Sequence, residues 1–167
     1  MLREYAEVVL KETFGTHAAY SILGIWGAIL TTSVVLLIIG IVVGWRIFQK
    51  AGEPGWKILI PVYNQYIFFK IAWKPGMFWV MFLLTTVSGA LNVCLALMGS
   101  FEAAVGILLF DFLAALIGLV IGVMFWHKLA KAFGRGVGFT IGLLFLNFIF
   151  LMILAFGSSQ YVGADRR

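Results

Sequence analysis

Long apolar runs separated by short polar stretches dominate the sequence. A helix that crosses about 30 Å of hydrocarbon needs about 20 apolar residues, at about 1.5 Å each. Four runs meet this length, and they predict transmembrane helices at about 20–48, 77–98, 103–126 and 137–156. The pattern therefore predicts an all-α integral membrane protein, a four-helix bundle within residues 20–158, followed by a short polar tail at 159–167.

The residues before the first run have a different pattern. Within residues 1–19, Leu2, Tyr5 and Val9 fall on one side of a helix and charged residues fall elsewhere, which predicts an amphipathic segment at the membrane surface. The apolar run that follows is longer than the roughly 7 to 15 residues of a signal-peptide core. We therefore expect the first span to be retained.

An aromatic segment between the first two spans is too polar to cross and too apolar for a free loop. Two Pro-Gly pairs interrupt helices near its ends, and Pro61 divides it into two short elements. The second element runs from about Asn64, a candidate N-cap, to Trp73. About ten residues are too few to cross a bilayer, so this segment is expected to be re-entrant or to lie flat at the interface.

Charge sets the expected orientation. Charged residues make up 11% of the chain, against about 25% in soluble domains, and the net charge is +5. Of the 12 Lys and Arg residues, five lie between spans one and two and three between spans three and four, eight in all. Because basic connections stay in the cytoplasm, both termini are predicted on the non-cytoplasmic side. The basic residues form no dense stripe, so nucleic acid is not an expected partner.

Three polar side chains fall inside predicted spans: Asn92, Asp111 and Asn147. A carboxylate in hydrocarbon is costly, so Asp111 is a functional hypothesis by default, as a proton or cation site. The alternative is structural, since polar side chains also hold membrane helices together by hydrogen bonds.

Two further residue sets predict contacts rather than chemistry. Small residues four apart let helices approach closely, and they occur at Gly40, Gly44, Gly118, Gly122, Gly138 and Gly142. Aromatic and basic residues at the cytoplasmic interface are expected to contact lipid headgroups; they are Trp56, Lys57, Tyr63, Lys70, Trp73, Lys74, His127, Lys128 and Lys131.

No catalytic, cofactor or metal-binding pattern stands out. The single cysteine, Cys94, excludes an intrachain disulfide and a Cys-based zinc site. His17 and His127 are isolated from further ligands, and no serine in a span has an intramembrane Lys or His as a base. The glycine-rich stretch 134–138 lacks the lysine of a phosphate-binding loop. We therefore expect a protein that is not an enzyme and holds no cofactor or metal.

Several short motifs carry a family resemblance. They are Ala-Gly-Glu-Pro-Gly-Trp at 51–56, Ile-Pro-Val-Tyr-Asn at 60–64, Lys-Pro-Gly at 74–76 and Leu-Ala-Lys-Ala-Phe-Gly at 129–134. From Trp45 to Tyr161 the chain resembles a family of small polytopic bacterial membrane proteins of unknown function. The resemblance implies a bacterial inner-membrane location and little about mechanism. Members are sometimes labelled signal peptidase I, but that enzyme needs a Ser and Lys dyad that is not recognisable here.

Residues suited to helix packing and to the membrane interface outnumber chemically reactive groups in this sequence. The leading expectation is a non-enzymatic accessory or scaffold subunit that contacts membrane lipids and other membrane protein subunits, or further copies of itself. A small channel or carrier built around Asp111 is the first alternative, and a lipid-binding membrane protein is the second.

Overall fold

The computed structural model describes residues 2–98 and 101–164. These residues form helices and no strands: α1 is Leu2–Lys50, α2 Tyr63–Ala72, α3 Pro75–Met98, α4 Phe101–Ala132, α5 Val137–Phe145 and α6 Asn147–Phe156. A 3-10 helix at Gly55–Leu59 precedes α2. The all-α prediction is confirmed. Met1, the connection at 99–100 and the end of the predicted tail, 165–167, lie outside the described residues.

Within the described residues, three helical segments are long and apolar enough to cross a membrane: Tyr20–Lys50, Pro75–Leu97 and Ala103–Ala132. The chain divides into two units, 1–42 and 43–167. In the first, every side chain from Tyr20 to Ile38 is exposed, as expected of a helix whose solvent is lipid. Since α1 runs unbroken from Leu2, no helix end marks the predicted boundary between a surface segment and the first span.

The aromatic segment contains the two short elements that the prolines predict, the 3-10 helix and α2. The predicted cap is wrong. Val62, not Asn64, precedes the first residue of α2, and no side chain caps this helix end. Instead, the Asn64 side-chain amide donates to the carbonyl of Ile58, at 3.2 Å, and ties α2 to the 3-10 helix.

The buried core of the second unit lies at one end of the helices. We call this the basic end, because α1 finishes there at Lys50 and α3 begins there after Lys74. Aromatic contacts join its elements: Phe48 meets Phe68 at 4.9 Å between ring centroids, and Phe69 meets Phe125 at 4.7 Å. The fully buried large side chains are Ile47, Phe48, Ile67, Leu129, Phe133, Leu143 and Leu154.

The predicted fourth span, 137–156, is not a continuous helix. It breaks at Leu146 into α5, nine residues, and α6, ten residues, each about 14 Å long and half of what a bilayer requires. The side-chain amide of Asn147 donates to the carbonyl of Leu143 at 3.1 Å. In an unbroken helix that carbonyl would accept the backbone N–H of Asn147, so the side chain takes the place of the backbone.

The two halves fold back on each other as an α5–α6 hairpin. The rings of Phe139 and Phe150 are 5.0 Å apart, whereas a straight helix would separate residues 11 positions apart by about 16 Å. The chain then returns to the basic end, where the N–H of Val162 donates to the carbonyl of Ala132 at 2.7 Å. The four-helix bundle is therefore not confirmed: three long helices and a hairpin take its place.

Candidate functional site

The structure brings together two of the three polar residues that the sequence placed in the spans. Asn92 on α3 donates from its side-chain amide to Oδ2 of Asp111 on α4, at 2.8 Å, and to the carbonyl of Ser88, at 2.9 Å. Asn147 does not join them, since it bonds to Leu143 at the break of the hairpin. The intramembrane polar site is thus a pair between two helices, Asn92 and Asp111.

A groove of about 450 Å³ opens beside this pair, between α3 and α4. Its walls are apolar or carry small polar groups: Met81, Leu84, Thr85, Ser88, Gly89, Ala114, Ala115 and Gly118 complete the lining. The other carboxyl oxygen of Asp111, Oδ1, is buried and has no hydrogen-bond partner among the described residues. The groove therefore has room for a neighbouring backbone, and Oδ1 of Asp111 beside it is a hydrogen-bond acceptor without a partner among the described residues.

The glycines of the three predicted packing motifs differ in what they face. A Cβ at Gly44 would meet the side chain of Ile58, at 2.6 Å, and one at Gly142 would meet the ring of Phe150. A Cβ at Gly118 would lie 3.7 Å from the methyl group of Met81. The other three motif glycines, Gly40, Gly122 and Gly138, have no such neighbour within 4 Å among the described atoms. One glycine of each motif contacts its own chain, and its partner glycine is open.

Glu53 links two elements of the basic end, although it is not among the residues that the sequence predicts for a site. Its carboxylate accepts hydrogen bonds from Nζ of Lys57 and of Lys70, each at 2.6 Å. These bonds, the one from Lys57 first, hold the pKa of Glu53 below its usual value, and the bond to Glu53 raises the pKa of Lys57. The Glu53–Lys57 spacing of four residues was the available signal. Both lysines were expected to contact headgroups; through Glu53 they also join the 3-10 helix to α2, and the Lys70 side chain stays 46% exposed.

Lys50 was also missed, because its partners are distant in sequence. Its Nζ donates to the carbonyls of Leu154, at 2.8 Å, and Gly157, at 2.7 Å. These carbonyls close α6, where a helix has unsatisfied acceptors and a partial negative charge. Lys50 therefore fastens the end of the hairpin to the end of α1.

Of the other predicted interfacial residues, Trp73 is buried and His127 is half-buried. Trp73 is only 5% exposed, and His127 lies 3.2 Å from the hydroxyl of Thr140, joining α4 to α5. Four of the remaining five residues are exposed, as an interfacial position requires: Trp56, Tyr63, Lys74 and Lys131. Lys128 is half-buried. Among the described residues, no three His, Cys, Asp or Glu side chains are grouped closely enough to hold a metal ion.

Comparison with known proteins identifies a family. The sequence model of a family of unknown function, DUF5684, matches residues 56–164. The match includes the Ile-Pro-Val-Tyr-Asn and Leu-Ala-Lys-Ala-Phe-Gly motifs and begins after Gly55. Searches of curated proteins and of solved structures found no match. Since the matched residues make up more than half of the chain, the protein belongs to the family of unknown function DUF5684.

Proposed function

We propose that three helices cross a bacterial plasma membrane and that the α5–α6 hairpin enters from the cytoplasmic side and returns to it. Basic residues at the ends of α1 and α4 support a cytoplasmic basic end, and α1 then starts outside, as the charge distribution predicted. The tail contacts Ala132 and Phe133 at the basic end: the rings of Phe133 and Tyr161 are 5.4 Å apart. The C-terminus, expected outside from a fourth span, is therefore proposed to be cytoplasmic.

Paired C-terminal reporters test this arrangement. Alkaline phosphatase is active only outside the cytoplasm, and green fluorescent protein exported through the general secretion route does not fluoresce. A C-terminal fusion to the fluorescent protein should be bright and one to the phosphatase inactive. A phosphatase fusion truncated after Met98, at the far end of α3, is the positive control. An active phosphatase at the full-length C-terminus would mean that the hairpin crosses as a fourth span.

Within that arrangement we propose that the protein is a non-enzymatic accessory subunit that holds one transmembrane helix of a partner protein in the α3–α4 groove. The observation that carries the proposal is the Asn92–Asp111 pair, 2.8 Å apart at the edge of this groove. Lipid offers no hydrogen bonds to a carboxyl group, so an acceptor at this depth favours a protein neighbour.

The lining of the groove favours a helix as that neighbour. Membrane helices associate by close backbone packing at small residues and by interhelical hydrogen bonds of roughly 0.6 to 2 kcal/mol each. Gly89, Ala114, Ala115 and Gly118 supply the small residues, and Asp111 offers the hydrogen bond once a small rotation brings Oδ1 outward. A partner helix with a donor side chain fits both features.

Filling the groove tests the proposal. Ala115→Leu adds volume to the lining, and Ala96→Leu is the matched control, because Ala96 is an exposed alanine of α3 outside the groove lining. Gently solubilised membranes are passed over the tagged protein, and bound proteins are quantified by mass spectrometry. Ala115→Leu should lower recovery of a stoichiometric membrane partner at least about fivefold, near 1 kcal/mol, and Ala96→Leu should not. Equal recovery, or a parent protein without any partner, would refute the assignment.

The unpartnered Oδ1 of Asp111 also supports a second candidate, a small channel or carrier with its polar site at this pair. Under that function Asp111→Asn abolishes ion or proton flux in proteoliposomes and leaves assembly intact. A parent protein that carries no flux, or a variant with unchanged flux, removes this candidate.

A further inference from the structure

The Ile-Pro-Val-Tyr-Asn motif folds into a strained turn at the basic end. Val62 has φ +68° and ψ −49°, and the N–H of Tyr63 donates to the carbonyl of Pro61 at 2.7 Å. This is a γ-turn with positive φ at its central residue, a rare conformation that is unfavourable for a β-branched side chain. Such strain persists only where the surroundings enforce it, and it is often found at binding sites.

The turn forms one wall of an aromatic groove. The groove has a volume of about 540 Å³ and is lined by Pro61, Val62, Tyr63, Tyr66, Phe78 and Trp79. Tyr63 stacks on Tyr66 with ring centroids 5.8 Å apart, and Tyr66 meets Phe78 edge-on at 5.8 Å. Trp79 stays 55% exposed. The lining therefore consists largely of aromatic rings that pack against one another, and the groove is open on one side.

The groove lies where α3 enters the membrane. Its two residues from α3, Phe78 and Trp79, belong to the first turns of the span that begins at Pro75. Tyrosine and tryptophan prefer this headgroup level because their rings are apolar and their O–H and N–H groups are polar. The molecule that reaches such a groove from the membrane is a lipid, with acyl chains beside the rings and its headgroup at the surface.

The charges around the groove select the kind of headgroup. Lys74 is exposed and stands one helical turn before Phe78. Nζ of Lys57 lies 5.9 Å from the ring centre of Tyr63. The cluster of Glu53 with Lys57 and Lys70 carries one net positive charge, and Lys57 brings it to the Tyr63 side of the groove. A basic rim attracts an anionic headgroup over a zwitterionic one.

From these observations we propose that the groove is a binding site for one anionic phospholipid. The exposed ring of Trp79, backed by the rings of Tyr66 and Phe78, contacts the upper part of the acyl chains, and Lys74 with the tyrosine hydroxyls binds the phosphate. The γ-turn at Val62 holds the wall that Tyr63 and Val62 form. This site is separate from the α3–α4 groove and does not depend on the function proposed for it.

Native mass spectrometry of the detergent-solubilised full-length protein tests this site. The protein is titrated with dioleoyl phosphatidylglycerol and, separately, with dioleoyl phosphatidylcholine. Trp79→Ala probes the groove, and Trp56→Ala is its matched control, since Trp56 is 51% exposed and lies outside the lining. Lys74→Gln probes the rim, with the exposed Arg46→Gln as its control. All four positions are exposed, and circular dichroism verifies that each variant keeps its helices.

The expected pattern distinguishes the two parts of the site. The parent protein should bind one phosphatidylglycerol in preference to phosphatidylcholine. Trp79→Ala should weaken both lipids, whereas Lys74→Gln should weaken phosphatidylglycerol alone, by about fivefold, the value for one lysine at a membrane surface. Two results would each overturn the proposal: no preference for the anionic lipid in the parent, or equal losses in the Trp79 and Trp56 variants. If the groove instead takes a peptide segment of a partner, the second result is expected.

Discussion

Replacing Lys50 by methionine should loosen the α5–α6 hairpin without unfolding the long helices. The ammonium group of Lys50 donates two hydrogen bonds, of 2.8 and 2.7 Å, to the carbonyls of Leu154 and Gly157. Methionine keeps most of the length and apolar surface of the side chain but donates no hydrogen bond. The variant therefore removes the link between the ends of α1 and α6 and little else.

The size of the effect follows from the geometry. A hydrogen bond to a charged group contributes about 1.5 to 3 kcal/mol. Both bonds are only partly buried, so water can replace part of each when the ammonium is lost. We expect a loss of about 2 kcal/mol in the free energy that keeps the end of α6 closed, or about 30-fold in the opening equilibrium.

Hydrogen exchange measured by mass spectrometry reports this opening directly. Peptides that cover Asn147–Phe156 should exchange about 30-fold faster in Lys50→Met, and peptides from α3 should exchange as in the parent. Gln49→Met is the matched control, because Gln49 is the exposed neighbour of Lys50 on α1. Equal exchange of α6 in the two variants would show that Lys50 does not fasten the hairpin.

Two further changes probe the packing of the second unit. Glu53→Gln should lower stability by about 1 kcal/mol at neutral pH, because one lysine is half exposed and its bond is screened. Since the folded pKa of Glu53 is lowered, its contribution is complete above the unfolded pKa of about 4.3 and disappears as the pH falls through the folded pKa. Melting curves from pH 7 to 3 should therefore converge in acid, and a constant gap would contradict this. Gly142→Val should destabilise the hairpin by about 2 kcal/mol, since the valine side chain would meet the ring of Phe150. Gly138→Val, at an open position, is the control. Equal melting temperatures of the two variants would contradict the close contact of Gly142 with Phe150.

The pair of Asn92 and Asp111 shows which part of the candidate site could be predicted from the sequence. Both residues were singled out because polar groups are rare and costly in apolar runs, a property of each residue alone. That they meet, and that Asn147 stays apart, depends on how α3 and α4 are rotated and aligned. Composition does not contain that information, because the lipid-facing and helix-facing sides of both spans are almost equally apolar.

The sequence by itself determined the all-helical class, three of the four predicted long helices and the two short elements of the aromatic segment, since run length, apolar character and proline positions are local properties. Only the tertiary structure decided that residues 137–156 fold back. Both halves are apolar, and the bend depends on the contact of Gly142 with Phe150 and on Lys50, more than 100 residues away in sequence from its partners. An apolar run indicates that a segment lies in lipid. Whether the segment crosses the membrane or folds back to the side it came from depends on the packing and hydrogen bonds at its ends.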